Sequence, residues 1–160
     1  MFLRNKTLIA TLALLIAAPV QAIEEHLIVK RGLSFGNVVP RVSSCSLDPG
    51  TLAMTSPSNA CIGSNHVAEI ELHGDANTIM RIEFFTGTNA PNNITYYPKV
   101  RLTNNLGGDV TTTVGASIIN FSTGSDGKLT MLIGGQINIG SALLPTTVYN
   151  VDYNIDYREQ

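Results

Sequence analysis

Residues 66–85, HVAEIELHGDANTIMRIEFF, hold two alternating runs on either side of a short polar break. In the first, Ala68, Ile70 and Leu72 fall on one face and Val67, Glu69, Glu71 and His73 on the other; in the second, Met80, Ile82 and Phe84 oppose Arg81 and Glu83. A period of two marks a strand with one face buried and one in water, because successive side chains leave a pleated backbone on opposite sides. Gly74, Asp75 and Asn77 in the break are residue types of a tight reversal, so the two runs are expected to pair as a hairpin.

The same alternation recurs outward from this stretch. Residues 98–103 (PKVRLT) alternate Val100 and Leu102 with Lys99, Arg101 and Thr103, and NNLGGD then marks a turn into a threonine-rich, exposed strand over 110–114. Residues 116–121 form a short strand ended by STGSDG. Residues 128–139 (KLTMLIGGQINI) read as two short strands, or one long bent strand, divided at Gly134-Gly135, since glycine inside a strand pattern marks a bulge or bend. The last run, YNVDYNIDY over 149–157, sets Tyr149, Val151, Tyr153, Ile155 and Tyr157 against Asn150, Asp152, Asn154 and Asp156. No segment after Ala22 has a helical period. Roughly seven to nine antiparallel strands with frequent turn signals predict an all-β sandwich or barrel.

The chain opens MFLRNKTLIATLALLIAAPVQA, with Arg4 and Lys6 before an apolar run and small residues at its end, the pattern of a cleaved signal peptide over residues 1–22. The run falls short of a membrane span and is followed by Glu24 and Glu25. Cleavage after Ala22 would leave residues 23–160 as one exported domain with no membrane insertion. Ten Lys and Arg less Arg4 and Lys6 leave eight against twelve Asp and Glu, a net charge of −4 with no clustering. Nucleic acid and anionic membranes demand basic patches, so neither is an expected partner.

Cys45 and Cys61 are the two cysteines. In an exported chain an isolated pair is expected to form one disulfide, here tethering the least regular part of the sequence, residues 40–64. A metal site would need more ligands at suitable spacing and a redox pair the Cys-x-x-Cys motif.

Catalytic constellations are thin. There are three histidines, His26, His66 and His73, and no GxSxG elbow or cysteine-histidine signature. His73, Asp75 and Glu71 are the least poor candidates for an enzyme on a β scaffold. Glu69 and Glu71 share a face with His73 and could join a carboxylate-imidazole metal site, against the simpler expectation of a solvated outer face. No cofactor, no metal and no enzymatic activity are expected. Tyr96-Tyr97 beside Pro98 is an exposed-looking aromatic pair of the kind that sugar sites present, which keeps a monomeric carbohydrate-binding or adhesive sandwich as an alternative.

LSFG at 33–36, LTMLIGGQINIG at 129–140 and the closing YNVDYNIDY together resemble a bacterial exported domain family of unknown function, in which an L-x-F-G start is followed by a GG-x-L-x-V-G segment and a final alternating strand. That family is similar to chaperone-usher fimbrial subunits, and this chain differs from the better-known pilins in the close spacing of its cysteines. The resemblance implies an immunoglobulin-like, pilin-type sandwich left one strand short. It further implies a structural subunit of a surface fibre, assembled by strand donation with a periplasmic chaperone and an outer-membrane usher as partners, and carried through the periplasm to the cell surface.

Such a subunit donates at one end and accepts elsewhere. Over residues 23–32, Ile23, Leu27 and Val29 share a face and form the candidate donor strand; an ordinary first strand of the domain fits the same residues. Tyr149, Val151, Tyr153, Ile155 and Tyr157 form the candidate edge of the acceptor groove. At strand rise, these nine residues would extend roughly 30 Å.

Overall fold

The computed structural model describes residues 26–57, 59–144 and 147–160. The expected leader over residues 1–22 and Ile23 lie outside the described residues. Thirteen strands follow in order: β1 (His26–Arg31), β2 (Asn37–Val38), β3 (Ser43–Leu47), β4 (Met54–Thr55), β5 (Cys61–Ile62), β6 (Ala68–His73), β7 (Ile79–Phe84), β8 (Gly87–Asn89), β9 (Ile94–Thr103), β10 (Asp109–Thr111), β11 (Ile118–Ser122), β12 (Lys128–Ile139) and β13 (Ile155–Glu159). Eight of them run five residues or longer, in line with the periodicity. The fold is an all-β, antiparallel sandwich, and the helical content of the described residues is one 3-10 turn, Ala90–Asn92.

β12 is the spine of the larger sheet. Along one edge it pairs with β9, from Thr130↔Thr103 to Ile139↔Ile94. Along its other edge it pairs first with β6, ending at Ile133↔Ala68, and then with β3, beginning at Gly135↔Leu47. The handover falls on Gly134-Gly135, and both glycines are required: a Cβ on Gly134 would collide with the Leu47 carbonyl oxygen, and Gly135 combines a φ of 132° with the Tyr97 carbonyl against its own Cβ position. The glycine pair thus joins the two half-strands into one continuous strand whose neighbour changes midway. Beyond these, β1 flanks β6, β4 flanks β3, and β8 and β10 flank the two ends of β9.

Pro98 sits inside β9, a position that central strands normally refuse. Its carbonyl accepts from Gly115 on the side away from β12, so the missing N–H also falls on that side, between β8 and β10. No rung with β12 is lost.

The smaller sheet has the order β11-β7-β13 and packs over the larger one. The expected hairpin of β6 with β7 does not form: β6 lies in the large sheet and β7 in the small one. Both edges of β6 are occupied, by β12 and β1, and both edges of β7, by β11 and β13. The break between them arches from sheet to sheet and spends its hydrogen bonds elsewhere, Asn77 N–H on Gly124 O and Thr78 N–H on Thr123 Oγ1. Alternation is unchanged by this, so Ile70 and Leu72 now face Ile82 and Phe84 across the core instead of lying beside them.

Two apolar clusters result. The larger lies between the sheets and takes Ala68, Ile70, Leu72, Leu102, Met131 and Ile133 from one side and Met80, Ile82, Phe84 and Phe121 from the other. The smaller holds Ile94, Tyr96, Ile137 and Ile139 around the Cys45–Cys61 disulfide, which ties β3 to β5 with Cα atoms 6.1 Å apart. Residues 40–64 are therefore more regular than a tethered loop, since they include β3, β4 and β5. Val67, expected on the outer face, is buried, because it precedes the strand at the point where Ser34 bridges His66.

Candidate functional site: a groove between two edge strands

β1 ends the large sheet and β13 ends the small one, and a groove of about 480 Å³ lies where these two edges meet. Its lining is Leu27 and Val29 from β1, Ile70 from β6, Phe85 after β7, Tyr153 and Asn154 just before β13, and Ile155 and Asp156 at its start. Val29 stands directly opposite Ile70, so its side chain points inward, yet it is 62% exposed. An inward-facing valine in a finished sandwich is covered by the opposite sheet. Among the described residues the small sheet stops at β13 and does not cover it.

β13 pairs with β7 along one edge only, from Ile155↔Phe84 to Glu159↔Met80. Among the described residues no strand pairs with its other edge, which borders an apolar floor, a combination that edge strands normally avoid or blunt. Tyr149, Val151, Tyr153, Ile155 and Tyr157 are all half-buried while the alternate positions are exposed. Tyr153, Ile155 and Tyr157 pack on the larger cluster and Tyr149 and Val151 on the smaller. The ladder is shorter than the nine residues expected, because β7 ends at Phe84 and the chain then leaves to form β8. Over residues 149–154 the contacts become irregular: Phe85 N–H donates to Asn154 O, Asn89 Nδ2 donates to Asn150 O, and Gly87 leaves room for the Asp152 carbonyl.

Leu27 and Val29 lie in β1, opposite Leu72 and Ile70 of the same chain. The segment sits in its own domain as a first strand. It is held there by an antiparallel ladder along β6 whose register shifts between Val29 and Arg31, by Leu27 half-buried against the core, by Arg31 Nε donating to Val67 O, and by ion pairs on the outer face. Lys30 Nζ lies 3.1 Å from Glu71 Oε2, Arg31 3.7 Å from Glu69, and the His26 and His73 rings stack at 4.5 Å. Lys30 and then His73 hold the Glu71 carboxyl below its ordinary range. Pairs this exposed contribute little to stability.

The other candidates disperse. Glu69, Glu71 and His73 lie on the outer face as half-exposed partners of these cations, and no group able to hold a metal ion occurs among the described residues. His73 Nε2 is 3.3 Å from Glu71, while Asp75 belongs to the arch between the sheets. The Tyr96-Tyr97 pair is not an exposed platform: Tyr96 is 2% exposed and its hydroxyl donates to Gly134 O at 2.5 Å. Its position in the β9 alternation puts it inside, against Phe35 and Tyr153. Burial, with Tyr153 beside it, pushes its phenol far above the ordinary value.

Sequence reasoning missed Ile70 and Phe85 as parts of the site. Ile70 was legible as inward-facing, but only the arch between β6 and β7 places it under β13. Compared with known protein families, curated proteins and solved structures, the chain matches none.

Proposed function

We propose that the chain is a structural subunit of a bacterial surface fibre, held to its neighbours by donated strands. The observation that carries this is Val29, inward-facing and uncovered in a groove whose wall is the free edge of β13. A strand laid beside β13 would satisfy its backbone groups and press alternate side chains onto the floor around Ile70, which β1 covers only in part before it is donated, so affinity and specificity would come from one contact. The donor is the first segment of a neighbouring copy, residues 23–32, with Ile23, Leu27 and Val29 on its apolar face. In the isolated chain residues 26–31 rest on their own β6 at an edge of the large sheet, and exchange would trade that ladder for one on the neighbour. Donation at one end and acceptance elsewhere is a heterologous contact that does not close, and repetition of it gives a fibre. A periplasmic chaperone would cover the groove before assembly and an outer-membrane usher would order the exchange.

The test is polymerisation of purified residues 23–160, with and without a co-expressed periplasmic chaperone, beside the same chain lacking residues 23–32. Concentration-dependent multimers from the first and none from the second are expected, with Ile155→Lys in the groove wall also blocking growth. A stable monomer that never polymerises under either condition would overturn the proposal, and genes for a chaperone and an usher beside its own would support it.

A further inference from the structure

The outer face of the small sheet carries an arrangement that strands usually avoid. Arg81 of β7 stands directly opposite Arg158 of β13, and on the neighbouring outward rung Glu83 stands opposite Asp156. Like charges facing each other across a ladder repel. Only part of this is relieved within the chain: Arg81 Nε and Nη2 both reach a single oxygen, Glu83 Oε1, at 2.7 and 2.6 Å. Among the described residues no ion pair involves Arg158 or Asp156. The four charged side chains line a shallow cleft of about 260 Å³ with Tyr157.

The outward alternation runs Ile79, Arg81 and Glu83 along β7 and continues to Phe85 just past its end, at the rim of the groove, giving apolar, basic, acidic, apolar. Ile79 is 49% exposed and Phe85 42%. Read in the opposite direction the order becomes apolar, acidic, basic, apolar, so the row is the complement of its own reverse. Consider a two-fold axis lying in the contact plane, at right angles to the strands and between the two charged rungs. It sets Arg81 over Glu83 of a second copy, Arg158 over its Asp156, and Ile79 over its Phe85. Each relation occurs twice, as an isologous contact requires.

We infer that the outer face of the β11-β7-β13 sheet is a self-complementary docking surface for a second copy of this chain. The contact turns two repelling rungs into four attracting pairs and covers Ile79 and Phe85 at its two ends. Three strands make a small and largely polar interface, so the dimer is weak, with a dissociation constant on the order of 0.1 mM and a marked dependence on salt. It leaves the outer edge of β13 open and meets the groove only at its rim, through Phe85 and Asp156, so it would join subunits, or fibres, side by side.

Charge reversal at the exposed positions of β13 tests this by sedimentation equilibrium on the purified protein. Arg158→Asp makes the β13 pair wholly acidic and Asp156→Arg makes it wholly basic, and each alone is expected to weaken dimerisation about tenfold or more. An equimolar mixture of the two is expected to recover it as a heterodimer, because opposite charges then face each other again. A parent protein that stays monomeric at about 1 mM and low salt, far above the expected constant, would overturn the inference. So would dimerisation unchanged in both variants, or a mixture that associates no better than either alone.

Discussion

The carboxylate of Glu159 accepts a hydrogen bond from the backbone N–H of Asp75 at 2.5 Å, joining the end of β13 to the arch between β6 and β7. Gln160 N–H adds a bond to Ile79 O just beyond it. The end of β13 is thereby fastened to the segment that carries the chain from one sheet to the other. Glu159→Ala removes the acceptor from a half-buried donor and is expected to cost about 1–2 kcal/mol, whereas Glu159→Gln keeps an acceptor and costs less. Urea denaturation gives the difference, and faster hydrogen exchange at the Asp75 amide locates it.

Gly134 has no room for a side chain beneath the Leu47 carbonyl. Gly134→Ala is expected to push β3 away from β12 and to destabilise the domain by about 3 kcal/mol, the upper end of what overpacking costs. Replacing Gly107, where a Cβ meets nothing within 4 Å but φ is +82°, is expected to cost only the local backbone strain, about 1 kcal/mol. Thermal midpoints of the two alanine variants decide the order.

Tyr96→Phe keeps the ring against Phe35 and Tyr153 and deletes one hydroxyl. The carbonyl of Gly134 then loses its side-chain donor in a buried setting, for an expected loss of about 1–2 kcal/mol. Unfolding midpoints measure it. A loss of glycan binding with stability unchanged would instead return Tyr96 to a ligand site.

Asp48 is held well below its ordinary 3.8, at about 2, first by the side-chain hydrogen bond from Lys99 Nζ and then by the N–H of Thr51. A carboxyl depressed in the folded state adds stability above its unfolded pKa, and that stability disappears as pH falls through the folded value. The window is therefore from 3.8 down to about 2. With the carboxylate about one-third exposed, solvent screening limits the contribution to about 1 kcal/mol. Asp48→Asn is expected to flatten the stability profile in this window and leave its slope above pH 5 unchanged.

Reduction of the Cys45–Cys61 bond, or its replacement by two alanines, reopens a loop of 16 positions. Chain entropy sets the expected loss at about 3 kcal/mol. Denaturant titration with and without a thiol reductant measures it.

Alternation carried most of what the sequence disclosed. It separated Met80, Ile82 and Phe84 from Arg81 and Glu83 correctly, and did the same along residues 149–157, because side-chain direction depends only on the local pleat. Partner choice does not. Whether β6 pairs with β7 or faces it depends on β12 and β1 having claimed both edges of β6, and residues 66–85 hold no trace of that competition. For the same reason the strand pattern could place Tyr153 and Ile155 on an inward face, but only the finished topology shows that β13 ends the sheet and leaves Val29 bare. Tyr96 was misjudged because two adjacent tyrosines beside a proline look like a loop, while β9 in fact runs through Pro98.

β12 has a consequence in time as well as in space. The strands it joins, β3, β6 and β9, all precede it, and its pairings link residues as remote as Ile137 and Cys45. Contacts so distant are costly to close and slow to form. A chain emerging from its amino end therefore has three strands with only their outer neighbours, β4, β1, and β8 with β10, to pair with until Lys128 and the residues after it arrive. Any delay before that point prolongs the lifetime of incompletely paired strands, so the tempo of synthesis bears on the yield of native protein.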